Sequence, residues 1–204
     1  WMRRIRRRQP AALLVLLCTA LGIVLWVPRG QWLGWLGEVV ASALWMQNWL
    51  LGWHAVDYLA AHDAPSPVQH YWSLSGEEQF YLLFPLVLLA GIWLARRWGL
   101  PPARTALGVL LVVAGASFVW SLWQTYFSPS MAYFSTLTRA WEFAAGALLA
   151  AGCGPIRPRW RQPAVLAGVA LIGSSAVLLG SDTAFPGSAA LLPVAGTMLC
   201  LWAG

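Results

Sequence analysis

Seven mostly apolar stretches, set between clusters of arginine, constrain this chain more than any other feature. They run over 11–27, 36–53, 80–95, 105–124, 140–153, 163–180 and 187–204. A helix that crosses the hydrocarbon core of a bilayer needs about 20 such residues, with a range of about 17–25. The stretch 140–153 reaches that length if it starts near Tyr133. The sequence is 59% hydrophobic and 10% charged, whereas soluble domains carry about 25% charged residues. A water-facing surface cannot be covered with so few charges. The predicted fold class is therefore all-α, a polytopic bundle of transmembrane helices with about six or seven hydrophobic segments.

The basic residues support this reading and exclude another. All 13 are arginine, and the net charge is +6, which in a soluble chain would suggest nucleic acid. Here the arginines fall between the apolar runs instead of over one face. Arg3, Arg4, Arg6, Arg7 and Arg8 form one cluster, Arg96, Arg97 and Arg104 a second, and Arg157, Arg159 and Arg161 a third. That is the distribution the positive-inside rule produces, and no nucleic-acid partner is expected. Cys18, Cys153 and Cys200 lie in or at the end of apolar runs, without CxxC spacing, and read as buried apolar thiols. Most of the 15 Trp residues sit near segment ends, as interfacial aromatic belts do.

Pro10, Pro102 and Pro163 are expected at or just before helix starts, where a missing N–H costs nothing. Gly and Pro cluster at 28–34, 99–102, 152–158 and 186–187, which marks connections. Orientation follows from counting. With the first arginine cluster in the cytoplasm, all three clusters fall inside only if 36–53 does not cross the membrane. Glu38, Gln47 and Asn48 lie in that segment and suit a re-entrant or protein-buried helix better than a lipid-facing one. The loops 54–79 and 125–138 are then extracytoplasmic. The chain begins with Trp1 and ends at Gly204 without a polar tail, so both ends are expected to lie inside a longer protein. No clean cleavage site of a signal peptide follows the first apolar run.

Polar side chains at membrane depth are expensive and need a reason. Two stretches stand out. In 70–85, Ser73, Glu77 and Tyr81 fall on one helical stripe at i, i+4 and i+8. Ser75 and Glu78 have the spacing of a capping box, so Glu78 either reaches back to a free backbone N–H or takes part in chemistry. Glu77 has no such local partner and is expected to enter the protein interior. Pro85 is expected to bend this helix. In 138–143, Arg139 and Glu142 are three apart and can pair on one face. His54, Asp57, His62, Asp63 and His70 are metal-ligand types, but their spacing matches no compact motif, and a solvated loop is the simpler reading. His70 is either a general base, a hydrogen-bonding partner of a substrate hydroxyl, or a plain surface histidine. Trp72 and Trp141, inside the two polar motifs, are placed to pack against a substrate.

The run His70-Tyr71-Trp72-Ser73-Leu74-Ser75-Gly76-Glu77-Glu78-Gln79-Phe80-Tyr81-Leu82-Leu83-Phe84-Pro85 resembles the signature of the acyltransferase-3 family. These are integral-membrane O-acyltransferases of bacterial surface polysaccharides and related molecules. Gly76 departs from the usual aliphatic residue without removing a functional group. Arg3 to Pro10, Gln47-Asn48-Trp49 with Asp57-Tyr58, and Thr138-Arg139-Ala140-Trp141-Glu142-Phe143-Ala144-Ala145-Gly146-Ala147-Leu148-Leu149 are similar to further family segments in the same order.

The resemblance implies transfer of an acyl group, by family default acetyl, to a hydroxyl of an extracytoplasmic carbohydrate or lipid-linked acceptor. The donor is an acyl-CoA such as acetyl-CoA, used as a substrate rather than held as a cofactor, and the location is a bacterial cytoplasmic membrane. It also implies that 1–204 is part of an acyltransferase-3 transmembrane domain, lacking the first two helices. The His thought to be the catalytic base lies on the first of those, so the fragment alone is expected to be inactive. Among the residues present, the expected catalytic set is Glu77, Arg139, His70 and Glu142. Trp72, Ser73, Tyr81 and Trp141 are the expected substrate contacts. The rival reading is a multi-span transporter with intramembrane Glu and Arg on its path, although no pair of broken helices in corresponding halves is evident. A scaffold without activity would leave both polar motifs unexplained.

Overall fold

The computed structural model describes residues 2–56, 66–152, 154–180 and 182–204, with side chains from residue 6 onward. Among these the chain is helical without strands: α1 (Met2–Trp26), α2 (Trp32–Ala43), α3 (Gln47–Val56), α4 (Tyr71–Arg96), α5 (Pro102–Phe127), α6 (Pro129–Phe134), α7 (Thr136–Gly152), α8 (Pro158–Leu178) and α9 (Leu191–Ala203). Four helical stretches are long and apolar enough to cross a membrane, Arg6–Trp26, Tyr71–Arg96, Pro102–Phe127 and Pro158–Leu178. This is the all-α membrane helix bundle expected from the apolar runs. The distribution of polarity agrees with it. Leu14, Leu25, Trp26, Val112, Leu166 and Val177 are exposed, whereas Gln47, Asn48, Ser75, Ser121 and Thr138 are fully buried. Apolar outside and polar inside is the arrangement of a chain solvated by lipid.

Several boundaries differ from the hydropathy reading for one physical reason. Arginine is a good helix former, so α1 continues outward through the arginine cluster and encloses Pro10 instead of starting at it. In the same way α8 starts at Pro158 and encloses Pro163. Pro102 does stand at the start of α5. The stretch 133–153 is divided between α6 and α7, and α9 takes up Leu191–Ala203 of the last apolar stretch. Cys18 is exposed on α1 rather than buried, a lipid-facing place for an apolar thiol.

The chain forms two compact units, Trp1–Gln79 and Phe80–Gly204. In the first, Ala12, Leu16 and Ile23 of α1 pack with Val39, Val68 and Tyr71, and the Tyr71 hydroxyl donates to the Ala12 carbonyl at 3.0 Å. The segment 36–53 is no continuous helix. It breaks between α2 and α3 at Leu44-Trp45-Met46, where Trp45 takes a left-handed backbone (φ 58). The two pieces, of 12 and 10 residues, are each about 15–18 Å long at 1.5 Å per residue, short of the roughly 30 Å of hydrocarbon.

In the second unit α5 carries α7. Ser117 donates to the Leu137 carbonyl at 2.5 Å and accepts from the Trp141 amide at 2.9 Å. The Thr138 hydroxyl is shared between the carbonyls of Ala132 and Ser135, at 2.6 and 2.8 Å, which fixes the α6–α7 corner. α8 and α9 meet at glycines: a Cβ built on Gly168 would lie 2.6 Å from the Gly196 carbonyl oxygen. Such close backbone approach is what small residues permit between membrane helices.

Candidate functional site

Each unit holds a polar centre among its described residues. In the first, Glu38 of α2 is buried, and its Oε2 accepts from the Gln47 side-chain amide at 2.6 Å and from the Ser66 hydroxyl. A carboxylate is tolerated there because two donors replace water on one oxygen. Beside it, Gln79 of α4 holds the α2–α3 break. Its Nε2 donates to the Trp45 carbonyl at 2.6 Å and to Asn48 Oδ1 at 2.9 Å, and its Oε1 accepts from the Trp49 indole at 3.0 Å. The signature run thus binds the interrupted segment through Gln79, a residue that sequence reasoning quoted without assigning it a role. Glu38 stood out in the sequence only as a carboxylate in an apolar run, and Ser66 carried no signal at all.

Glu77 does not enter the interior as expected. It is half-buried and pairs with the exposed Arg8 at 2.9 Å. The capping-box reading of Ser75 and Glu78 also fails, because α4 starts at Tyr71 and places Ser75 a turn inside the helix. The Ser75 hydroxyl is buried without a hydrogen-bond partner among the described residues. Ser73 is exposed and its hydroxyl returns to the His70 carbonyl at 3.2 Å. His70 is exposed at the turn before α4, its ring 5.0 Å from that of Tyr71, and Trp72 is half-buried. Asp57, His62 and Asp63 lie outside the described residues, and no cluster of metal-ligating side chains occurs among the described ones.

In the second unit, Arg139 and Glu142 sit on the first turns of α7, with Arg139 Nη1 4.0 Å from Glu142 Oε2, the outer edge of ion-pair range. The Arg139 guanidinium is held more closely by other groups. Its Nε donates to the Tyr133 carbonyl at 3.2 Å, and it lies 5.3 and 5.5 Å from the ring centres of Tyr133 and Phe185, within cation–π range. Glu142 Oε1 is buried and has no hydrogen-bond partner among the described residues. Glu142 lines a cavity of about 320 Å³ whose other walls include Phe143, Phe185, Val194, Thr197 and Met198. A carboxylate oxygen without a donor, at the wall of a mostly apolar cavity, is a place for a hydroxyl or N–H of a ligand. Tyr81 is half-buried, 6.5 Å from Phe143 between ring centres. Trp141 is buried, its ring edge-on to Phe118 at 5.0 Å, and its indole N–H has no hydrogen-bond partner among the described residues.

This chain is 35% identical over 151 residues to YrhL of Bacillus subtilis (strain 168), named as a candidate peptidoglycan O-acetyltransferase. It is 32% identical over 155 residues to the peptidoglycan O-acetyltransferase OatA of Listeria monocytogenes, and 32% over 152 residues to the O-acetyltransferase OatA of Staphylococcus aureus. Each alignment covers 74% of this chain, and 23%, 24% and 24% of the respective relatives. The chain therefore spans about a quarter of the length of the curated relatives it matches. No family model matches it, and no solved structure does. The similarity to proteins named O-acetyltransferases thus extends over about three quarters of this all-α chain.

Proposed function

We propose that this chain belongs to an acyltransferase-3-type membrane enzyme that O-acetylates a cell-wall glycan. The observation that carries the reading is the 32–35% identity to O-acetyltransferases across 74% of the chain. The donor is an acyl-CoA, most simply acetyl-CoA, and the acceptor a glycan or lipid-linked glycan hydroxyl on the extracytoplasmic side of the cytoplasmic membrane. In the reaction the hydroxyl oxygen attacks the thioester carbonyl, the C–S bond breaks as the ester C–O bond forms, and the hydroxyl proton passes through a general base to the departing thiolate.

Arg139 supplies positive charge toward the developing oxyanion or the donor. The support for this is its placement at the start of α7, where its Nε donates to the Tyr133 carbonyl and its guanidinium lies against the rings of Tyr133 and Phe185. Glu142, with one oxygen still without a donor, receives a hydroxyl or N–H of a substrate. Glu77 and His70 belong to the rim of the first unit, where Arg8 holds Glu77 in place. Ser73, Trp72 and Tyr81 are substrate contacts along α4.

One observation favours transport as a second reading. The break between α2 and α3, lined by buried polar residues, is a device that transporters also use. The full-length protein, reconstituted with radiolabelled acetyl-CoA and extracted cell-envelope glycan, separates the two. Label in alkali-labile ester on the glycan supports the enzyme, and counterflow of label without ester formation supports transport.

A further inference from the structure

A charge aimed at a reacting atom has to be held. An arginine side chain carries about 2 kcal/mol of rotamer entropy, and a group that stabilises developing charge acts best when it is preorganised. The bond from Arg139 Nε to the Tyr133 carbonyl, at 3.2 Å, fixes one point of the guanidinium. Rotation about that point has to be stopped by other groups. Glu142, at 4.0 Å, stands at the outer edge of ion-pair range. Two rings stand closer to the task. The guanidinium carbon lies 5.3 Å from the ring centre of Tyr133 and 5.5 Å from that of Phe185. The ring centres are 6.2 Å apart, with 57° between their planes. The cation therefore caps the notch between two rings, at nearly equal distance from both. A ring attracts a guanidinium through its π face and takes none of its N–H donors.

The two rings differ in origin. Tyr133 belongs to α6, in the same corner of the chain as Arg139, and is 39% exposed. Phe185 comes from the connection between α8 and α9, far along the chain, and is half-buried. Its neighbours set its place. The Gly180 amide donates to the Thr183 hydroxyl and the Thr183 amide to the Gly180 carbonyl, both at 3.1 Å. Pro186 and Gly187 are buried. Gly187 has φ 39, in the region that favours glycine, and a Cβ there would lie 3.1 Å from Thr125 Cγ2 of α5. The Ala190 amide donates to the Pro186 carbonyl at 3.0 Å. Phe185 is thus delivered to Arg139 by a segment seated on α5. We propose that Phe185 is a positioning residue for Arg139, holding the guanidinium toward the reacting acyl group through a cation–π contact. The inference rests on the charge role given to Arg139 above.

The test is a cycle of four full-length proteins in membranes, assayed with labelled acetyl-CoA and cell-envelope glycan. They are the wild type, the protein with trifluorophenylalanine in place of Phe185, Arg139→Gln, and the two changes together. The fluorinated ring keeps the shape that packs in the fold and weakens the π face. It is expected to lower kcat/KM about three- to thirtyfold when Arg139 is present, the size of one cation–π contact. In Arg139→Gln the same ring should cost less than about twofold, the limit of additivity between uncoupled groups. Phe185→Tyr, which keeps a π face, should stay within about threefold of wild type, and Phe185→Leu should fall as the fluorinated protein does. Equal losses with and without Arg139 make Phe185 a packing residue and overturn the proposal. Wild-type kcat/KM in the fluorinated protein overturns it as well. A wild type that forms no glycan ester removes the acetyl-transfer reading and this inference with it, whereas absence of coupling in an active wild type removes this inference alone.

Discussion

The side-chain amide of Gln79 donates to the main-chain carbonyl of Trp45 at 2.6 Å, and Trp45 is the one described non-glycine residue with a positive φ. A bulky residue in the left-handed region costs about 1–3 kcal/mol, so the break between α2 and α3 persists only while neighbours over-determine it. Gln79 does so with bonds to Trp45, Asn48 and Trp49. Gln79→Leu keeps the volume and removes all three. It is expected to destabilise the protein by about 2–4 kcal/mol through the buried groups it leaves unpaired, read as a lowered thermal transition in detergent and as faster proteolysis near 44–46. An unchanged transition would show that the break holds itself.

Glu38 gives a second stability prediction. Glu38→Ala leaves the Gln47 amide and the Ser66 hydroxyl without their acceptor in a buried place and should cost about 2–5 kcal/mol. Glu38→Gln keeps an acceptor oxygen and should lose less. Thermal unfolding of the two variants side by side checks the order.

The glycine crossing of α8 and α9 gives a third. A Cβ on Gly196 would lie 2.7 Å from the Gly168 carbonyl oxygen, and backbone cannot give way as a side-chain tip can. Gly196→Ala should destabilise by about 1–3 kcal/mol and raise the reactivity of Cys200, which would meet the Cβ of Gly168 in the same crossing. Maleimide labelling of Cys200 in membranes reads this, with unaltered labelling as the contrary result.

The Arg8–Glu77 pair predicts a contrast between stability and activity. Its members are 48% and 27% exposed, and exposed pairs are worth about 0–1 kcal/mol. Arg8→Ala should therefore barely move the thermal transition. If Glu77 is held for chemistry, the same change should lower acetyl transfer several-fold. Equal acetyl transfer in Arg8→Ala and wild type would make the pair structural only.

The spans were legible because hydropathy reports what lipid demands, and α4, α5 and α8 need that length whatever their partners. Their ends were not, because helices continue through arginine, and past Pro10 and Pro163, outside the apolar window. The break at 44–46 left no signal of its own. Leu44, Trp45 and Met46 contain no Gly, Pro, Asn or Asp, and the turn is imposed by Gln79 and packing. What the sequence did show was polar residues with no local use, Glu38, Gln47 and Asn48, and the structure buries all three. Arg139 and Glu142 were legible as neighbours from their spacing. Their separation of 4.0 Å, and the preference of Arg139 for Tyr133 and Phe185, depend on α6, which no periodicity announced.

Acetyl transfer by the full-length protein tests the central claim most directly. With labelled acetyl-CoA in membranes, the wild type should place acetyl ester on cell-wall glycan. Arg139→Ala should lower kcat about 10²–10³-fold if it stabilises developing charge, with the thermal transition little changed. Arg139→Lys should recover only part of the loss, because an ammonium lacks the planar face that Tyr133 and Phe185 hold. Acetyl transfer by folded Arg139→Ala and Glu77→Gln at the wild-type rate would contradict the site assignment, and a wild type that forms no glycan ester would contradict the function.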